Sequence, residues 1–140
     1  MPIGKKTLPD CPVAATVSII GSKWKLMILR NLRMKPTWRF NELKNSLEGI
    51  SQKVLTESLR GLEEDGIISR TVYPEVPPRV EYKMTWLGEQ MAPIFEAMNQ
   101  WGQLYQQYVN SDGERIIMTD FAQAPATAEP ELLAPAKKEA

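Results

Sequence analysis

The chain contains no histidine and a single cysteine, Cys11, among its 140 residues. Without histidine, Ser-His-Asp triads, Cys-His dyads and mixed His/Cys/Asp/Glu zinc sites are excluded. One cysteine allows no internal disulfide and fits a reducing compartment. Neither Gly-x-Gly-x-x-Gly nor Gly-x-x-x-x-Gly-Lys occurs, so both common phosphate-cradling loops are missing. No apolar run approaches the roughly 20 residues that span a bilayer. The basic start Met1-Pro2-Ile3-Gly4-Lys5-Lys6 leads into no apolar stretch with a cleavage site. The expectation is a cytoplasmic protein with no membrane partner, no metal and no cofactor. Acidic residues are plentiful but fall mostly on solvated helix faces, so no catalytic residue and no enzymatic activity are expected.

What is present is unevenly placed. Seventeen Lys/Arg balance seventeen Asp/Glu, which by itself argues against a nucleic-acid partner. Residues 1–40, however, carry eight basic side chains against the single acid Asp10. Residues 41–110 carry six against ten, and residues 111–140 three against six. DNA responds to the local field, and a basic N-terminal region can present a positive face in a neutral chain. Evenly solvated charge remains the alternative at this point.

Local patterns divide the chain into short elements. Asp10-Cys11-Pro12 is a helix start, with a capping-type residue ahead of a proline suited to the first turn. Val13, Val17 and Ile20 follow at helical spacing until Gly21-Ser22. A second helix, residues 23 to about 33, carries Trp24, Met27, Ile28 and Leu32 along one face. After Met34-Lys35-Pro36-Thr37, a short helix runs through Leu43 and Leu47 with Asn41 as its expected cap. Gly49-Ile50 makes a tight turn, Ser51 caps the next helix, and Gly66 stops it after about Asp65. Two helices joined by a short Gly-containing turn are the helix-turn-helix pattern.

From Ile67 the period changes. Ile68, Val72, Val80, Tyr82 and Met84 occupy two strand-like runs around Pro74-Glu75-Val76-Pro77-Pro78, a hairpin with a stiff tip. Thr85 then caps a long helix to about residue 109, which Pro93 kinks or divides. The expected fold is mainly α with a small β-hairpin wing, a winged helix-turn-helix. Its domain covers residues 11–110, preceded by a flexible arm at 1–10. Residues 111–140 form an acidic, Ala/Pro-rich and largely disordered tail.

The chemistry centres on residues 51–65. Leu55, Leu59 and Leu62 point inward at i, i+4 and i+7, with Val54 at the edge. Gln52, Lys53, Thr56, Glu57 and Arg60 occupy the opposite face. Gln pairs bidentately with adenine, Arg or Lys with guanine, and a threonine methyl meets the thymine methyl. A recognition helix reads bases with its N-terminal half, where Ser51, Gln52, Lys53 and Thr56 lie. Ser51 and the free N–H groups of the first turn suit a phosphate. Arg39 lies on the turn between helices, and Arg79 at the base of the hairpin is placed to reach a phosphate or the minor groove. The alternatives stay open: a polar helix face is usually solvated surface, and Arg79 equally suits a cross-strand Glu or Ser.

The stretches Cys11-Pro12-Val13, Ile20-Gly21-Ser22-Lys23-Trp24-Lys25, Arg39-Phe40-Asn41-Glu42-Leu43 and Gly49-Ile50-Ser51-Gln52-Lys53-Val54-Leu55-Thr56 resemble the HxlR family of winged-helix regulators, related to the MarR group. So do Leu59-Arg60-Gly61-Leu62-Glu63-Glu64-Asp65-Gly66, the wing Tyr73-Pro74-Glu75-Val76-Pro77-Pro78-Arg79-Val80-Glu81-Tyr82, and Thr85-Trp86-Leu87-Gly88. The resemblance covers about residues 11 to 108, with Trp86 a departure where a more polar residue is expected. It implies a cytoplasmic homodimeric transcription regulator bound to an inverted-repeat operator in double-stranded DNA. A winged-helix protein-interaction module that binds no DNA is the second reading.

The homodimer also has a physical argument. The terminal helix carries more apolar surface, at Phe95, Met98, Trp101, Tyr105 and Tyr108, than a small three-helix core covers. Packing it with Val13 and Val17 of the first helix against a symmetry mate buries that stripe. Packing within one chain is the alternative. Cys11, at a helix N-terminus, is where unpaired N–H groups favour a thiolate. The resemblance implies a sensor of oxidants or electrophiles at this cysteine; a half-buried structural thiol is the other reading. No small-molecule effector is named by the sequence.

Overall fold

The computed structural model describes residues 7–107. The expected arm at residues 1–10 is therefore described only from Thr7, and the 111–140 tail and Tyr108 lie outside the described residues. The chain forms two compact units, one ending at Ala92 and one beginning at Pro93.

In the first unit, α1 (Pro12–Ile20) starts as the proline demands, with Pro12 in its first turn. The cap is Cys11, whose side chain makes no capping bond. Gly21 follows, and the axis bends by 84° into α2 (Lys23–Leu32). Ser22 caps this helix, its hydroxyl oxygen accepting the Lys25 N–H at 3.2 Å. Ile28, Leu29 and Leu32 form the buried face of α2, with Trp24 and Met27 half-buried beside them.

Trp38 and Arg39, expected only to lead into a helix, form a two-residue strand, β1 (Trp38–Arg39). Next come α3 (Phe40–Ser46) and α4 (Gln52–Glu64). Asn41 is not the cap of α3: Arg39 is, and Asn41 is the second residue of the helix. Glu42, three residues after the cap, accepts the Arg39 backbone N–H, which is the acidic half of a capping box. A glutamate reaching back thus replaces the asparagine expected to reach forward. The buried Asn31 of α2 ties the two helices together, its amide donating to Ser46 Oγ at 2.8 Å.

The turn from α3 to α4 uses Gly49 at φ 86° and buries Ile50. Ser51 then caps α4, accepting the Val54 N–H at 3.1 Å. At the far end Gly66 takes φ 76°, its N–H bonding to Glu63 O and the Ile67 N–H to Leu62 O, each at 3.0 Å. That pair is the Schellman motif, and the buried Ile67 and Leu62 supply its apolar contact.

The wing consists of β2 (Ile68–Tyr73) and β3 (Arg79–Met84). β1 adds to its other side, so the sheet has three antiparallel strands in the order β1-β3-β2. Tyr82 pairs with Trp38 on one side and Arg70 on the other, which sets these three side chains in one row on one face.

The expected long terminal helix is two helices, α5 (Trp86–Glu89) and α6 (Ala92–Gln107), separated at Gln90 and Met91. Pro93 falls in the first turn of α6, where its missing N–H costs nothing, whereas in a helix continuous with α5 its ring would clash with the carbonyl of residue 89. Thr85 does more than cap α5: its hydroxyl accepts the Gly88 N–H at 3.1 Å and donates toward Gly66 O at 2.6 Å. A Cβ on Gly88 would sit 2.3 Å from Ile67 O, so only glycine lets α5 approach the end of α4 this closely. Thr85 and Gly88 therefore fasten the wing's exit to the recognition helix. Among the described residues, no single helix is long and apolar enough to cross a membrane.

Candidate nucleic-acid interface

The 3.6 period of α4 separates its faces cleanly. Leu55, Leu59 and Leu62 are buried, and Val54 is half-buried at the stripe's edge. Ser51, Gln52, Lys53, Thr56, Glu57 and Arg60 are all exposed. The five residues expected on this helix to meet DNA, Ser51, Gln52, Lys53, Thr56 and Arg60, thus share the solvent side. Two of their hydroxyls are partly engaged locally. Ser51 accepts its capping bond, and Thr56 Oγ1 donates to Gln52 O at 2.8 Å. Among the described residues Lys53 and Arg60 have no ion pair.

Arg39 lies apart from that helix face, at the joint between β1 and α3. Its backbone is held by the sheet, opposite Glu81, while its side chain is exposed. Next to it Lys35 bonds the Glu42 carboxylate and stands 4.2 Å from the Trp38 ring centre. The Lys35 hydrogen bond, aided by the Arg39 N–H and the charges of both residues, holds Glu42 below the ordinary carboxylate range.

Arg79 is not brought into the solvent-facing group. Its guanidinium lies 3.3 Å from Glu75 and 3.6 Å from Glu81, and 4.1 Å over the Tyr73 ring. The side chain is paired, but not with a cross-strand Glu or Ser: Glu75 lies in the hairpin tip, Glu81 lies two residues along the same strand, and the neighbour across the strands is Tyr73. The 3.6 Å separation is too long for a hydrogen bond and leaves the buried Nε without one.

Sequence reasoning passed over Arg70. It is exposed, belongs to β2, and lines a cleft of about 350 Å³ with Thr56, Leu59, Arg60, Glu63 and Tyr82. The wing carries half of the signal: pairing Tyr73 with Arg79 across the five-residue tip sets Arg70 opposite Tyr82, but nothing in the strands says which helix meets that face. Cys11 is exposed at the start of α1. No cluster of three or more metal-ligating side chains occurs among the described residues.

A turn-linked helix pair, a polar outward face on its second helix and a three-stranded wing define a winged helix-turn-helix, the architecture of transcription regulators. The chain matches the HxlR-like helix-turn-helix family over residues 19–110, and it belongs to that family. It is 43% identical over 105 residues to an HTH-type transcriptional regulator of Methanothermobacter thermautotrophicus, covering 75% of this chain and 79% of the relative. The HTH-type regulator YkvN of Bacillus subtilis is 42% identical over 105 residues, covering 75% of this chain and 88% of the relative. Among solved structures, the reduced redox regulator HypR superposes with a TM-score of 0.65 at 41% identity, over 69% of this chain and 94% of that one. Reduced YodB of B. subtilis superposes with a TM-score of 0.61 at 33% identity, over 69% of this chain and 95% of that one. The protein is a transcriptional regulator of the helix-turn-helix class.

Proposed function

We propose that the chain binds an inverted-repeat operator as a homodimer, inserting α4 into the major groove of each half-site. The observation that carries this reading is the exposed face of α4. Gln52, Lys53, Thr56 and Arg60 stand free of the core on a helix that a buried leucine stripe, a Ser51 cap and a Schellman motif hold rigidly. Gln52 and Thr56 read base edges, Lys53 and Arg60 supply charge, and Ser51 and Arg39 position the helix on phosphate. Arg79 is already paired, so its part is to shape the wing, and it reaches DNA only by exchanging Glu75 for a phosphate.

The homodimer is supported by apolar side chains without cover. Val13 and Val17 of α1 are 72% and 57% exposed, and Trp101 of α6 is 64% exposed. Trp101 stacks on Tyr105 with ring centres 5.3 Å apart, and Met98 is exposed one turn earlier, giving α6 a continuous apolar stripe. Phe95 is half-buried. The domain so formed spans residues 11–110, between the 1–10 arm and the 111–140 tail, and works in the cytoplasm without catalysis.

Regulation through Cys11 is the second part of the reading. The thiol is exposed and is the chain's one cysteine, so oxidation joins it to a second chain or to a small thiol, or an electrophile alkylates it. HypR and YodB, the first a redox regulator and the second solved after diamide treatment, support it.

The test is selection of bound sites from a random duplex pool with reduced full-length protein. The expected product is an inverted repeat with half-sites about 10 bp apart, or a multiple of that spacing. No enrichment would overturn operator recognition in favour of a protein-interaction module. With the selected duplex, Cys11→Ser should bind as the wild type does and ignore diamide. Release of the variant by diamide would end the cysteine's role.

A further inference from the structure

We propose that Arg70 of the wing and Arg60 of the recognition helix together grip the phosphodiester strand that passes between the two grooves of the operator, each guanidinium neutralising one phosphate. The proposal rests on the reading of α4 as a DNA-binding helix, and it adds a backbone site beside the base-reading face.

The register puts Arg70 directly opposite Tyr82, so the two side chains share the face of the sheet on which α4 packs. From the other wall, Thr56, Arg60 and Glu63 follow at steps of four and three, which brings one edge of α4 along the same cleft. Leu59 and Tyr82, both buried, form its floor. Both arginines are exposed, and among the described residues neither has an ion pair. Arg79, at the start of the hairpin's other arm, shows what happens to an arginine here when a carboxylate is meant to hold it. It has two, and an aromatic ring besides.

The cleft therefore holds two unpaired guanidiniums and one carboxylate, Glu63, over an apolar floor. Like charges gathered along one cleft repel, and an anion between them relieves the repulsion. A planar guanidinium fork is matched to a phosphate's oxygens. The cleft also lies where a phosphate chain is required. A helix seated in one groove and a wing beside it straddle the backbone that separates that groove from the next. Glu63 opposes the phosphate and sets an upper limit on the grip, which keeps the backbone contribution from overwhelming base readout.

A backbone contact is sequence-blind, and this gives the test. Binding of fluorescein-labelled duplexes, one carrying the selected operator and one of random sequence, is followed by anisotropy over a KCl series. Full-length Arg70→Ala and Arg60→Ala should each lower the slope of log K against log salt by about 0.9, with equal losses on both duplexes. Arg70→Lys should keep the wild-type slope. Lys83→Ala, an exposed cation on the opposite face of β3, should change nothing. Glu63→Gln, which leaves both arginines in place, should tighten both duplexes alike and so reports on the cleft independently of any arginine variant's folding. An unchanged slope in Arg70→Ala, a loss confined to the operator, or no tightening by Glu63→Gln would overturn the grip while leaving operator binding intact. A wild-type protein that binds neither duplex in a salt-dependent way would overturn the DNA-binding reading itself, and the grip with it.

Discussion

Replacing Ser51 by alanine and by aspartate separates the two tasks given to the start of α4. The Ser51 hydroxyl oxygen accepts the Val54 N–H at 3.1 Å and satisfies one of the four otherwise orphan donors of that helix end. Alanine removes the bond, at a cost of typically about 1 kcal/mol. For a domain of this size that is a fall in Tm of about 4–8 °C. Aspartate caps as well as serine does, and its charge favours the helix N-terminus, so Ser51→Asp should match or exceed wild-type stability. On DNA the order reverses. A carboxylate against a phosphate at about 4 Å costs about 1 kcal/mol even in bulk water, roughly fivefold in Kd. Thermal melts at fixed protein concentration, paired with anisotropy titrations at fixed salt, read both quantities. Wild-type stability in Ser51→Ala would refute the capping argument. Wild-type DNA affinity in the more stable Ser51→Asp would refute the placement of this helix end against a phosphate.

Leu55→Ala should lose about 2–5 kcal/mol in urea denaturation, because the side chain is fully buried under α4; a loss below about 1 kcal/mol would contradict its place in the core. Gln52→Ala should weaken operator binding by about 1–3 kcal/mol and leave random-duplex binding unchanged, as a base contact does. Val17→Asp should halve the mass measured by light scattering after size exclusion, and a dimer persisting at micromolar concentration would remove α1 from the interface. Glu42→Gln tests the Lys35 pairing by pH. A carboxylate held below its ordinary range contributes stability above its unfolded-state pKa and loses it as pH falls through the folded one. The stability gap to wild type should thus be full at neutral pH and close in acid, and a gap constant through the carboxylate range would exclude the pairing.

Much of the fold was legible because it is written in short-range signals. The leucine stripe of α4, the Ser51 cap and the Gly66 stop each act within a few residues, so periodicity and capping chemistry locate the helix and its two faces. The wing was legible for a related reason: two alternating runs around a proline-rich tip have few other ways to pair. Pro93 likewise announced a break, since a helix accepts its ring only in the first turn. The errors have local causes too. Asn41 has the chemistry of a cap, but Glu42 reaching back to Arg39 satisfies the same helix end from inside, and nothing in the spacing ranks the two.

What tertiary structure alone decided lies where distant residues meet. Two residues have no period, so β1 exists only because Trp38 and Arg39 find Tyr82 and Glu81 on β3. Whether Arg79 is available to DNA depends on Glu75, Glu81 and Tyr73 converging on it. The role of Gly88 depends on the Ile67 carbonyl it must pass. Arg60 and Arg70 lie on different elements, and only the packing of helix against sheet puts them in one cleft. Local propensity and patterning determined which face of α4 looks outward. The charges that share that face's surroundings were decided by long-range pairing, for which a single chain's periodicity holds no signal.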